Sequence, residues 1–367
     1  MIFFRTKILL FKFILLILIN IIFSSCTKDE ITSYNEPQFS LEVINHGSDV
    51  NFVLNEPWEK IGIGYINVIR TDSLWQLWYE AFDEHSQNKG KIDYNGYFCY
   101  ATSKDGINWT KPNLSKTKYK GNYDNNILIS NNDVKNNGIH GVTVFIDSLA
   151  HSDEKYKMIY ARWVDSLSSN WVYGMTSPDG INWDNQRLLI EHYSDTQTVC
   201  FNDNGSYKIY LRYWNGGSHG KGMRQIGYCE TFDFTGPINN YTPVTIDNGP
   251  NIDKLHLYNN AVNYINDSLY LFFPSIFSPN NDKMQISVGF NTSDNPTSFS
   301  FYNFGSIQIE KSDEYRGLYV APNLVKLNDN SYWLYYMATT RGHFSNKYPE
   351  FKYQGVIKRK LIKIEYN

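Results

Sequence analysis

Residues 323–338 read NLVKLNDNSYWLYYMA, and this stretch decides the fold. An apolar run, 323–327, meets a polar turn, Asn328-Asp329-Asn330. A second run, 331–338, leaves that turn rich in aromatics. Asn and Asp tolerate the dihedrals of tight hairpins, and Val, Leu, Tyr and Trp suit strands. The stretch therefore predicts a β-hairpin, and the same unit recurs at four earlier places. Residues 66–70, Thr71-Asp72-Ser73 and 74–81 (LWQLWYEA) form one copy. Residues 142–146 and 155–162 (KYKMIYAR) form the next, around a longer loop. Then come 198–201 with 206–213 (SYKIYLRY), and 261–265 with 268–275 (SLYLFFPS).

Each copy runs on into a third strand, at 96–102, 171–176, 225–230, 285–291 and 355–364. Two of these end in nearly the same word. Ser103-Lys104-Asp105-Gly106-Ile107-Asn108-Trp109 matches Ser177-Pro178-Asp179-Gly180-Ile181-Asn182-Trp183, with a worn version at 293–299. Asp and Ser fold such a turn, Gly takes its awkward dihedral, and the aromatic packs between sheets. These words are structural pegs rather than catalytic motifs. One supersecondary unit repeated every 50–80 residues or so predicts small sheets arranged radially. The expected fold is all-β, a five-bladed β-propeller over 38–367. Residues 39–54 have no place in the first hairpin and are expected to add an outer strand to the last blade.

Composition agrees. The 367 residues carry a net charge of −3, 16% aromatics, 19% charged residues and four cysteines. Near-neutral charge excludes a nucleic-acid binder that works by bulk electrostatics. Low charge with many aromatics excludes a disordered chain. Four scattered cysteines exclude a disulfide scaffold or a zinc ribbon. Cys99, Cys200 and Cys229 read as small buried hydrophobes that form no disulfide.

Residues 1–26 read as an address. Arg5, Lys7 and Lys12 precede an apolar run, 13–23, and then Ser24, Ser25 and Cys26. This resembles the lipobox of bacterial lipoproteins, which implies cleavage before Cys26 and lipidation of its thiol. A single transmembrane anchor is the alternative reading, although the run is short for a full membrane span, which needs about 20 apolar residues. The Lys28-Asp29-Glu30 cluster resembles the surface-export signal of Bacteroidetes lipoproteins. The outer face of the outer membrane is expected, with the periplasmic face as the alternative and 27–37 as a polar tether. The lipid would be the only membrane contact.

In a propeller the innermost strands surround a channel, and their starting ends line one mouth. Polar residues that open a first strand or close a second are thus the candidates. Blade one offers Glu56, Glu59 and Glu80; blade two, His140 and Arg162. Blade three offers Asp195, Gln197 and Arg212; blade four, Asp253, His256 and Asn260. Blade five offers Glu314, Arg316, Arg341 and His343. Glycoside hydrolysis needs one carboxyl to protonate the leaving oxygen and a second to attack or to activate water. Asp195 and Glu314 are the expected pair, with Glu80 the alternative partner. Glu80 stands on an otherwise apolar strand, so it either faces the channel or pairs with an Arg. His140, Arg162, Arg212, His256 and His343 are expected to bind substrate, with Trp163 and Trp214 either stacking on sugar or packing between blades. The eight His show no dense metal spacing. No metal or other cofactor is called for, although a structural calcium stays open. No Gly-rich phosphate loop opens a helix, so nucleotide chemistry is not expected.

The phrases YFCYATSKDGINWTKPNL (97–114), DNNILI (124–129), TSPDGINWDN (176–185), SDTQTVCFND (194–203) and EYRGLYVAPNLVKLNDNSYWLYYMATTRGH (314–343) stand in a telling order. Together they resemble the five-bladed propeller proteins grouped with glycoside hydrolase families 32, 43 and 117. The resemblance covers roughly residues 50–345 and implies the fold and a carbohydrate substrate. Family 43 puts an Asp base in blade one and a Glu acid in blade three; here those places hold Glu56 or Glu59, and Asp195. The family 32 words around its nucleophile are absent. Family 117 uses a His near its site, which maps loosely to His140 or His256. The expected activity is glycoside hydrolysis by an exo-acting, surface-tethered enzyme. The alternatives are a carbohydrate-binding lipoprotein without activity, with one or no carboxylate in the channel, and a protein-binding propeller with an apolar plug.

Overall fold

The computed structural model describes residues 38–44, 50–72, 74–84, 94–130, 138–167, 169–292, 294–307, 309–310, 312–343 and 355–366. The leader 1–26, Cys26 and the tether 27–37 lie outside the described residues. The chain divides into two units, Leu41–Glu365 and a second that holds Met1–Ser40 and Tyr366–Asn367. Of the second, only 38–40 and Tyr366 are described; the first carries the propeller.

The fold is a β-propeller whose regular structure is nearly all β. Each predicted hairpin is present and gains a third strand. Sheet 1 contains Gly62–Thr71, Leu74–Glu84, Tyr94–Ser103 and Trp109–Thr110, and Ile127–Ser130 also pairs with its third strand. Sheet 2 contains His140–Ile146, Tyr156–Val164, Ser169–Ser177 and Asp184–Ile190. Sheet 3 contains Val199–Asp203, Ser206–Trp214, Arg224–Thr231 and Thr242–Pro243. Sheet 5 contains Gly317–Asn328, Ser331–Thr339 and Gly355–Tyr366, with Phe39–Ile44 outermost. Of the early segment 39–54, the strand Phe39–Ile44 thus joins the last sheet, whereas Asn51 bridges to Asn108 beside sheet 1.

Sheet 4 is split along its strands. His256–Asn259, Ser275–Ser278 and Lys283–Ile286 pair as one group. Val262–Asn266, Leu269–Phe272 and Gly289–Asn291 continue the same three strands, joined by Ser298–Phe301 and Thr245–Asp247. Pro274 sits in the break of the middle strand, where a missing N–H interrupts a ladder. Two backbone bonds bridge the break, Phe273 N to Ala261 O at 3.1 Å and Ser287 N to Pro274 O at 3.0 Å.

The apolar cores lie between sheets. Trp78, Phe98 and Tyr100 of sheet 1 pack with Val144, Met158 and Tyr160 of sheet 2. Sheet 2 packs on sheet 3 through Phe145, Ile159, Cys200 and Ile209, and sheet 3 on sheet 4 through Tyr210, Tyr228, Phe272 and Phe299. Sheet 5 returns to sheet 1 through Tyr335, Met337, Trp75 and Tyr79. The aromatic second strands therefore mainly join neighbouring sheets. The pegs add polar links between the same neighbours. Tyr335 Oη donates to Gly106 O at 2.8 Å, and Trp78 Nε1 donates to Gly180 O at 2.7 Å. Asp105 Oδ1 accepts from the amides of Ile107 and Asn108, and Asp179 does the same for Ile181 and Asn182.

The first strands surround a common axis. A cavity of about 340 Å³ is lined by Val68–Arg70, Phe145, Phe201, Asn263 and Asn323, one first strand from every sheet. Between this cavity and the opposite mouth, amide side chains tie the strands together. Asn67 Nδ2 donates to Val142 O at 2.7 Å, and Asn323 Nδ2 to Val144 O at 2.8 Å. Gln197 donates to Ile66 O and Val142 O, and Asn259 to Val320 O. Cys99, Cys200 and Cys229 are buried and unbridged. Cys200 and Cys229 both pair with Ile209, so the second strand of sheet 3 separates them.

Candidate active site

At the starting ends of the first strands, polar groups from neighbouring sheets converge. Glu80 is only 2% exposed. Its Oε1 accepts from the amides of Gly141 at 2.5 Å and Val142 at 3.2 Å, and its Oε2 lies 2.9 Å from His140 Nδ1. The carboxylate neither opens into the channel nor pairs with an Arg, the two outcomes expected from sequence. It pairs instead with a histidine and two backbone amides of the next sheet. A carboxylate only accepts, so His140 Nδ1 carries the proton and Nε2 is left for the channel side. The His140 side chain is 45% exposed. Burial opposes its cation, but the charge and hydrogen bond of Glu80, with Asp195 beyond, outweigh burial and raise its pKa.

Asp195 lies beside this pair. A Cβ on Gly141 would sit 2.5 Å from the Thr196 carbonyl oxygen, and Gly141 has φ 63°. Only glycine allows the backbones next to His140 and Asp195 to approach so closely. Asp195 Oδ1 accepts from Arg212 Nη1 at 3.1 Å, and Tyr193 also bonds its carboxylate. Burial would raise the Asp195 pKa, but Arg212, Tyr193, His140 and His219 together hold it below the usual carboxylate value. Arg212 is buried and donates a second bond to Tyr258 O.

The remaining wall comes from sheets 3, 4 and 5. Arg224 donates to His343 Nε2 at 3.2 Å and approaches His256 Nδ1 at 3.4 Å. Its guanidinium stands 4.9 Å from the Trp214 ring centroid and 5.4 Å from that of Tyr258. Tyr258 Oη lies 3.0 Å from His343 Nδ1. Arg is a donor only, so His343 Nε2 accepts and Nδ1–H donates to Tyr258. Burial first, then the two arginines, press the His343 pKa down to about 4, and burial with Arg224 does the same to His256. Tyr65 Oη bonds Thr196 Oγ1 at 3.0 Å, and its ring packs edge-on to His140 and Tyr319.

The structure therefore brings together Glu80, His140, Asp195, Arg212, Trp214, His256 and His343 of the sequence candidates. It leaves others apart. Glu314 is exposed before the first strand of sheet 5, and its carboxylate joins no ion pair or hydrogen bond among the described residues. Arg162 donates to Gln186 and lies over Tyr173 within its own sheet, with Trp163 exposed beside it. Glu59 is buried on Lys111 and Tyr79, and Gln197 belongs to the axial amide ties.

Arg224, Tyr65 and Tyr258 were missed from sequence. The start of a third strand lies at the same end as the close of a second, and Trp214 pairs directly with Arg224. Applying the channel rule to third strands would have found Arg224. The two tyrosines were hidden among packing aromatics.

Known structures match this architecture. An N-acetylgalactosamine deacetylase from F. plautii, in complex with blood group B trisaccharide, superposes with TM-score 0.57 at 9% identity, over 88% of this chain and 95% of that one. The α-L-arabinofuranosidase PaAbf62A from Podospora anserina, in complex with cellotriose, gives 0.53 at 12% identity, over 87% and 95%. The glycoside hydrolase family 43 protein BlXynB from Bacillus licheniformis gives 0.52 at 12% identity, over 85% of this chain. The fold is the β-propeller of the last two, both glycoside hydrolases. The chain spans about half the length of BlXynB, 54%. No protein-family description and no curated sequence matches the chain. Because the fold hosts both glycosidases and a deacetylase, the fold by itself assigns no reaction to this chain.

Proposed function

We propose that the protein is a glycoside hydrolase that works at this mouth, with Asp195 as its carboxylate and His140 as its acid. The observation that carries the proposal is the Glu80–His140 pair set beside Asp195. Glu80 favours the imidazolium, and that cation supplies the proton for the leaving oxygen. Asp195, kept ionised by Arg212, provides the charge that attacks the sugar carbon or draws a proton from water. Glu314 has no part in this reading, and Glu80 acts through His140. No metal or cofactor is required. A lipid on Cys26 would tether the domain to the outer membrane, with the outer surface as the expected face.

One observation favours a second reading, a carbohydrate-binding protein without turnover. Glu80 is buried with both oxygens engaged, so of the two carboxylates beside His140 only Asp195 is open to a ligand. His140 decides between the two readings. The test is a screen of the full chain against a glycan panel, read by released reducing ends. Turnover that His140→Gln and Asp195→Asn abolish supports the hydrolase. Binding without turnover supports the second reading.

A further inference from the structure

The two arginines at the mouth are not equivalent. Arg212 has Asp195 as its counter-charge. Arg224 has no direct one: its hydrogen-bond partners are two imidazoles, no carboxylate among the described residues lies within ion-pairing distance of it, and Asp195 acts on it only from further away. Its Nε is buried without a partner. A half-buried cation without a paired anion is costly unless an anion meets it.

We infer that Arg224 anchors an anionic group, a carboxylate or a sulfate ester, on the saccharide that occupies this mouth. The inference rests on the proposal that the mouth takes a saccharide.

Three features fit Arg224 to that task. Trp214, Tyr258 and Phe277 stand around the guanidinium at 4.9, 5.4 and 5.7 Å, which fixes the plane of a planar fork. A fixed fork presents paired N–H groups to carboxylate or sulfate oxygens. The surrounding groups also offer protons. His256 Nδ1 accepts from the Arg224 amide at 3.2 Å, so the neutral ring carries its proton on Nε2. Tyr258 accepts from His343, and its hydroxyl also bonds Tyr65. After burial, Arg224 and Arg212 are what lower the pKa of both histidines, so the arginine charge reaches the groups around it. A mouth with several donors and one cation that has no paired anion suits an acidic sugar better than a neutral one.

Calorimetric binding to the full chain tests this with two matched pairs. One pair is a sulfated galactan oligosaccharide and its desulfated parent. The other is a uronate oligosaccharide and its carboxyl-reduced parent. One charged member should bind at least about tenfold more tightly than its parent, and which pair does so identifies the anion. Arg224→Met should erase that preference, and Arg224→Lys, which keeps charge but loses the fork, should retain part of it. The lysine variant keeps the test open if the methionine variant does not fold. Equal affinity within both pairs, or a preference that survives in a folded Arg224→Met or in full in Arg224→Lys, overturns the inference and makes Arg224 a packing residue among aromatic rings. In those cases binding of the neutral parents leaves the saccharide site standing. Binding of none of the four overturns both.

Discussion

Glu80 on the second strand of sheet 1 holds His140 on the first strand of sheet 2, Oε2 to Nδ1 at 2.9 Å. The bond crosses the boundary between sheets and sets the charge of the channel histidine. Burial alone would lower the His140 pKa, and Glu80 is what reverses the sign. In Glu80→Gln the raising charge is lost, so His140 should titrate at lower pH. The alkaline limb of kcat/KM should then move towards acid, and the His140 ring resonances in an NMR titration should follow. A limb that stays where it was would separate His140 from the rate.

Gly141 carries the second link between the residues of the mouth. An alanine there would need a positive φ and would drive its Cβ against the Thr196 carbonyl. The left-handed backbone alone costs about 1–2 kcal/mol, and the contact is with backbone that cannot swing aside. Gly141→Ala should lower Tm and also pull His140 away from Asp195, so activity should fall even below the melting range. As a control, Gly205→Ala, with nothing within 4 Å of its Cβ, should cost stability through φ alone and leave activity intact.

Most of the fold was legible because its signal is local. Hairpin turns such as Asp72 and Asn204 take the positive φ that their chemistry permits, and the DGINW words fold alike at both places. The site was legible only in part. Asp195, Arg212, His140, His256 and His343 stand at strand ends where the channel rule looks. Glu80 was flagged by a charge on an apolar strand, yet its partner lies 60 residues away and no local pattern encodes that pairing. Glu314 carried the right residue type before a first strand, but the loop there holds it in solvent. Arg224 carries no local signal in the sequence, because a lone Arg at a strand start looks like any surface cation until Trp214 and Tyr258 close around it.

His256 and His343 should make the fold sensitive to acid. In the folded chain both titrate at about 4, while free imidazoles titrate near 6.5. Between those values the unfolded chain takes up protons that the folded chain refuses. Stability therefore rises with pH across this window and is lost as pH falls from about 6.5 to 4. Melting curves taken over that range should show the slope. It should flatten in a His256→Gln, His343→Gln double variant, whose amide oxygens can still accept from Arg224. An unchanged slope in the double variant would place the acid sensitivity elsewhere.

Asp195→Asn isolates charge from geometry. The amide oxygen can keep the 3.1 Å bond to Arg212, so folding should survive, but no negative charge remains to meet the sugar. If Asp195 acts in the reaction, turnover should drop by about 10²–10⁴-fold, the usual range for a lost acid or base. Oligosaccharide affinity should change little, because the remaining donors of the mouth are untouched. The acid limb follows the same logic: Arg212 and its neighbours hold the Asp195 pKa below the usual carboxylate value, so its protonation should cut activity only at more acid pH than for an ordinary Asp. His140→Gln should remove the alkaline limb and lower turnover by a similar factor. If both single variants and the double variant lose the same amount, the two side chains act as one unit. Full turnover in Asp195→Asn would take this carboxylate out of the mechanism and leave the mouth as a binding site.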